Sequence, residues 1–449
     1  MPIVSTADSA ISIRALNRNS LMKRILRESG LGDYGTATSG DTNFLIDTTK
    51  LKSDQYSSDE WVDGWVRASK DFSSSGSALE NSIAPITTYT PSSGTIAFNP
   101  TFSVAFAVSD EYELWKGLHP KTVTDIIDQC LTKDIALPYW APLSEVPDYD
   151  MEQSGTSDWS TSNATIAKTT TTRSRGKNAL TVTTTSANGY AQTSELFVEP
   201  GKQYFAMASV VSGSTSTTSK LIAYDNTNSA EIATKSITRR SIAKLWIEFT
   251  APSGCYSISL RLSNVESSVV SSWDDIIFFC FDQRVVSLPW WIRSDNQVKG
   301  VFELDINDLT SNNAADEIVG ELDNRWDFTD SGFGNYNKLK LKARYGTMHK
   351  PLYIFGVRNE TAYSNDNTDY KMVDEDYIAT CVLYRIYQHL ANQPTSGYLD
   401  SKEVKTKLVE YKKAWMDMMN IQNQRLEQVL RTPSTRAYFN HPTDRLGWY

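Results

Sequence analysis

Between Trp159 and Phe281 the chain alternates apolar and polar residues in short runs. Leu180-Thr181-Val182, Gln203 to Met207, Leu221 to Tyr224, Leu245 to Phe249 and Tyr256 to Leu262 each repeat with a period near two, the pattern of half-buried strands. Turn formers separate them: Asn188-Gly189, Pro200-Gly201, Asp225-Asn226 and Pro252-Ser253-Gly254. Short strands with regular turns predict a β-sandwich, set as one domain into the middle of another.

The flanks read differently. Leu16, Leu21, Met22, Ile25 and Leu26 fall near one helical stripe, with Gly30 as its C-terminal cap. Strands are expected over Phe44–Asp47, Gly64–Ala68, Ile86–Tyr89, Thr95–Phe98 and Asp110–Trp115, forming a small barrel or meander. After His119-Pro120, the spacing of Val123, Ile126, Ile127, Cys130 and Leu131 predicts a helix. Further strands follow at 300–304, 339–345 and 351–357, then a polar loop at 358–368. Two helices close the pattern. Asp374 caps one, with Ile378, Val382 and Ile386 on its stripe; Asp400 caps the other, with Leu408, Tyr411 and Trp415. The similar phrases Leu137-Pro138-Tyr139-Trp140 and Leu288-Pro289-Trp290-Trp291 bracket the middle block and mark a neck where it leaves and rejoins its host. Gly30 to Gly35 spells GxGxxG, but a helix precedes it where a dinucleotide site needs a strand, so it reads as an exit loop.

Charge and chemistry narrow the function. Over 449 residues the net charge is −9 and the pI about 5.2, a poor basis for gripping nucleic-acid phosphates. The four cysteines have no CxxC spacing and read as buried free thiols, with neither a zinc site nor a disulfide framework indicated. No signal-peptide pattern or membrane-length apolar run is seen, which leads us to expect a soluble chain made in a cytoplasm. No nucleophile elbow, zincin motif or phosphate loop is present, and the four histidines are scattered, so an enzyme is not expected.

The middle block resembles the jelly-roll carbohydrate-binding modules of glycoside hydrolases. The likeness lies in Trp159 at its entry, FVEPGKQYFAMASV (197–210), WIEFTAPSG (246–254) and the exit SWDDIIFF (272–279). That resemblance implies a structural calcium at Asp274 or Asp275 and sugar stacking on aromatics. Tyr190 and Tyr224, beside turns, are the exposed candidates, with Trp159 a third. No other cofactor is expected.

The flanks resemble head-to-tail adaptor proteins of tailed bacteriophages, through DEYELWKGLHPKTVTDIIDQCL (110–131), DEDYIATCVLYRIYQHLA (374–391) and DSKEVKTKLVEYKKAWMDMMN (400–420). The fold class is then α+β: a discontinuous adaptor domain (1–145 and 286–431), an inserted all-β jelly-roll sandwich (150–285) and a C-terminal arm (432–449). The resemblance implies a virion protein forming a dodecameric ring beneath the portal. Such a ring anchors a tail nozzle or tube protein and passes genomic DNA without specific binding or membrane insertion. Ile378, Val382, Ile386, Leu408, Tyr411 and Trp415 are expected to pack the ring. Arg436, Tyr438, Phe439, Arg445, Trp448 and Tyr449 are expected to dock on the portal. The sandwich is left for tail fibres or host glycans. The alternative is a peripheral tail or receptor-binding component that binds host-surface carbohydrate.

Overall fold

The helix expected before Gly30 is present in the computed structural model as α1 (Arg18–Ser29). Asn17 accepts a hydrogen bond from the Ser20 N–H at 2.8 Å, and Gly30 ends the helix at φ 69°, a conformation that suits glycine. The structure describes residues 16–431 apart from 54–55, 73–77, 171, 173–177, 214–216, 239–241, 290, 293–296, 305–317, 322–325, 331–335, 342–347, 349, 368, 370, 372 and 393–399. The expected docking arm, with Arg436, Tyr438, Phe439, Arg445, Trp448 and Tyr449, lies outside the described residues. The chain divides into two units: Met1–Ala136 with Asn359–Asn423, and Leu137–Arg358 with Gln424–Tyr449. The second crossing thus falls at Arg358, not near residue 286. The reason is strand pairing: Ile318–Glu321, Val298–Leu304, Leu352–Asn359 and Ala136–Pro142 form one sheet in that order, joining chain from both sides of the sandwich.

In the first unit seven strands pair antiparallel in the order Gly32–Thr36, Glu111–Trp115, Trp65–Lys70, Ile83–Thr90, Thr95–Phe98, Phe44–Ile46 and Ser39–Gly40. The GxGxxG stretch is therefore an edge strand. Its glycine has a packing reason, because a Cβ on Gly32 would meet the Leu114 carbonyl oxygen at 1.9 Å. Val66, Ala84, Ile96, Tyr112 and Leu114 fill the core on this sheet. The helices are α2 (Pro120–Gln129), α3 (Glu375–Ala391) and α4 (Ser401–Arg431). Asp374 caps α3, accepting from Asp376 and Tyr377 N–H groups at 2.9 and 3.0 Å. The stripe expected to pack a ring is used inside the unit. Ile378, Val382 and Ile386 are fully buried, Trp415 stacks on Tyr377 at 4.9 Å and Tyr411 on Tyr387 at 5.3 Å, while Leu408 is half-buried. An amphipathic pattern shows only that a face is covered; here the chain itself covers it. Among the described residues no helix is long and apolar enough to cross a membrane.

One buried arginine links the parts of this unit. Arg67 is 1% exposed and donates to Glu113 at 2.8 Å and to Asn19, Asn81 and Asp366 at 2.6 Å each. Asp366 also accepts from Arg18, whose guanidinium reaches Asp128 at 2.7 Å. The loop expected to be merely polar is thus pinned by two arginines. We predict that Asp366→Ala lowers the unfolding free energy by about 3–5 kcal/mol, the usual cost of stranding a buried charge. Urea denaturation checks this, and a loss below about 1 kcal/mol would show that the pair is dispensable.

The second unit carries the sandwich. One sheet runs Ala164–Thr169, Ala179–Thr184, Val270–Cys280, Gln203–Ser212, Ala243–Thr250. The facing sheet runs Ala230–Thr238, Thr218–Asp225, Ser257–Asn264, Tyr190–Thr193, Trp159–Ser162, with Leu196–Phe197 also paired to Ser257–Asn264. Inward residues such as Leu180, Tyr204, Val210, Leu221, Leu260 and Trp273 belong to a continuous core. The two bracketing phrases both lie in the second unit, where the Tyr139 and Trp291 rings pack edge to face at 5.4 Å.

Candidate functional site: an aromatic and arginine face on the sandwich

Alternation along three adjacent strands decides what the six-stranded sheet presents outward. Ala191, Thr193, Leu221, Ala223, Ile258, Leu260 and Leu262 are buried, so their sequence neighbours point the other way. The register sets Gln192 and Ile222 on either side of Arg261, Tyr224 opposite Ser259, and Tyr190 opposite Ser263. The result is a guanidinium held between two rings. Arg261 Cζ lies 4.3 Å from the Tyr190 centroid and 3.2 Å from that of Tyr224. Its Nε donates to Gln192 Oε1 at 3.1 Å, while among the described residues its terminal N–H groups donate to no protein atom. Asn226 borders the face, bonded through Nδ2 to the Ser257 and Ser259 hydroxyls at 3.2 and 2.9 Å. Stacked planar groups with free donors suit a ligand that is apolar on its ring faces and rich in acceptors at its rim.

Two of the three aromatics expected from sequence therefore converge, and one does not. Trp159 is 6% exposed and packs in the sandwich core, because it begins its strand on the inward register opposite Thr193. Arg261 and Gln192 were not singled out from sequence. The signal was present in Leu260-Arg261-Leu262, where two buried leucines force the arginine outward.

Asp274 and Asp275 are buried in a kinked part of their strand, with Asp275 at φ 50°. They share their surroundings with Asp148, Asp150 and Glu152: the Tyr139 and Tyr149 hydroxyls are pushed far above their usual range by burial and then by these acids. Among the described residues no three of these carboxylates bring oxygens within 4.8 Å of one another. Protein cations face part of the cluster, with Lys168 paired to Asp148 and Arg358 to Glu152 at 3.2 Å. Burial, then the Glu152 charge, pushes the Asp150 carboxyl up to about 7, with Arg358 opposing. A carboxyl whose folded pKa exceeds its unfolded value of about 3.9 favours the fold most below pH ~4 and loses that advantage as pH rises through ~7. The melting-temperature difference between wild type and Asp150→Asn should therefore move against wild type from pH 4 to 7. Calorimetry across that range checks it, and a constant difference would mean Asp150 titrates normally.

A second concavity, of about 550 Å³, opens beside Phe197, a ring that is 86% exposed. Glu195, Glu199 and Asp282 line it with Lys202, which pairs with Asp282 at 2.5 Å. Glu145, on the same wall, is already held by Gln283 and Ser287.

No family model matches the chain, and no curated protein matches it. Among solved structures it is similar to the family 22 carbohydrate-binding module of Clostridium thermocellum Xyn10B, at 17% identity over 29% of this chain and 91% of that one, with a TM-score of 0.25. It is also similar to TmCBM61, solved with β-1,4-galactotriose, at 12% identity over 30% and 98% with a TM-score of 0.25. A third is the enzymatically active domain of tailspike protein 4 from Bacteriophage CBA120, at 11% identity over 31% of this chain and 21% of that one, again at 0.25.

Proposed function

We propose that this protein binds carbohydrate on the outer face of the six-stranded sheet, through Tyr190, Arg261 and Tyr224. The observation that carries the reading is the guanidinium held between two rings with its terminal donors unused. A pyranose presents C–H faces that stack on the tyrosines and hydroxyl or carboxylate oxygens that accept from Arg261. Stacking also fixes the arginine before the ligand arrives, so little side-chain freedom is lost on binding. The reading is one of recognition rather than turnover. Its setting is a peripheral component of a phage tail, where many copies of a shallow site gain avidity on a glycan-coated surface. We favour this over a ring-forming adaptor, because Ile378, Val382 and Ile386 are buried in the first unit's own core.

Three variants test it on a glycan array and by affinity electrophoresis. Tyr190→Ala with Tyr224→Ala should weaken retention about tenfold or more, given ~0.5–1.5 kcal/mol for each aromatic contact. Arg261→Ala should do the same, whereas Phe197→Ala should bind like wild type. Loss on Phe197→Ala with full binding in the other two would move the site to the acidic concavity.

A further inference from the structure

Two of the four cysteines, far apart in sequence, come together in space. Among the described residues, Cys130 Sγ, Cys381 Sγ and a carboxylate oxygen of Asp134 lie within 4.8 Å of one another. Both cysteines are fully buried and Asp134 is half-buried. Cys381 Sγ stands 3.9 Å from Asp134 Oδ2. The local fold that gathers them is unusual. At the end of α2 the helix widens into a single π-turn (Cys130–Asp134), with the Ile135 N–H bonded to the Cys130 carbonyl at 2.9 Å. Such turns are rare inside helices and recur at functional sites. Cys381 comes from α3, and Arg385, one turn further on, holds Asp134 through Nε at 3.0 Å and Nη2 at 2.6 Å.

We propose that Cys130, Cys381 and Asp134 form a site for a thiophilic divalent cation such as zinc, with a fourth position left for water. Donors around tetrahedral zinc, bound at about 2.3 Å to sulfur and 2.0–2.2 Å to oxygen, stand roughly 3.4–3.8 Å apart. The three atoms here need only small side-chain rotations to reach that spacing. Charge balance supports the donor set. Two thiolates and one carboxylate carry three negative charges, which a dication and the Arg385 guanidinium neutralise. In the metal-free state two neutral thiols beside the Asp134–Arg385 pair also sum to zero, so loading exchanges two thiol protons for one dication without stranding charge. Arg385 is a positioning residue: it grips both Asp134 oxygens, Nη2 on Oδ1 and Nε on Oδ2, and so fixes the carboxylate whose second Oδ2 lone pair would meet the metal. Two buried sulfurs exclude the hard oxygen-seeking cations, and the pair of helices that supply them gains a cross-link when the site fills.

The test is cobalt titration of the full-length chain under a phosphine reductant, with native mass spectrometry after zinc addition. Wild type should bind one ion per chain and show thiolate-to-cobalt charge-transfer absorption in the near ultraviolet. Cys130→Ser and Cys381→Ser should each abolish that band, with circular dichroism confirming that the fold survives. Arg385→Gln should keep the band but weaken binding about 10–100-fold. Wild type without a band and without bound zinc would overturn the proposal, since it needs no variant to fold. So would a band that persists in both serine variants. A Cys130–Cys381 disulfide in the unreduced chain, with no metal uptake once reduced, would likewise replace the metal site with a redox pair.

Discussion

The first unit is interrupted, and Arg67 is where its two pieces are made into one. Its guanidinium, on a central strand, reaches Asp366 from 299 residues away in sequence, as well as Asn19 at the start of α1 and Glu113 on the neighbouring strand. Bringing such distant segments together costs loop-closure entropy that grows slowly with length, so the span itself is tolerable. The harder requirement is electrostatic. A guanidinium at 1% exposure is favourable only if its donors are matched and its charge is met. Three of its four partners are themselves held: Glu113 accepts from the Trp115 indole at 3.0 Å, Asn19 donates to Asn367, and Asp366 is shared with Arg18. A returning segment without Asp366 would leave the arginine underpaired, so the network selects one way of closing the unit.

This arrangement shows what the sequence could and could not reveal. Period-two runs located the sandwich strands, and the stripes and caps located α1, α2, α3 and α4, because both are local consequences of backbone geometry. Alternation implied two faces, and the turns at Asn188-Gly189 and Asp225-Asn226 picked out Tyr190 and Tyr224 as the exposed candidates. It did not say which register Trp159 occupied, because a residue at the start of a strand has alternating neighbours on one side only. The unit boundary at Arg358 and the role of Asp366 were illegible for a different reason. Both are set by pairings between residues hundreds of positions apart, on which local periodicity is silent. The gathering of Cys130 and Cys381 belongs to the same class, and a spacing rule such as CxxC would never find it.

Three arginines then separate structural from functional roles by how their donors are used. Arg67 is buried and meets four side chains, so its charge is answered inside the fold. Arg385 faces one carboxylate in a two-point grip that fixes the carboxylate's plane, which is the behaviour of a group that positions another. Arg261 is stacked and half-buried, and among the described residues only its Nε donates to a protein atom. The sandwich core asks nothing of it, since Leu260 and Leu262 already fill the inner side of that strand. A cation outside that core, stacked between two rings, is the feature on which the proposed glycan reading rests.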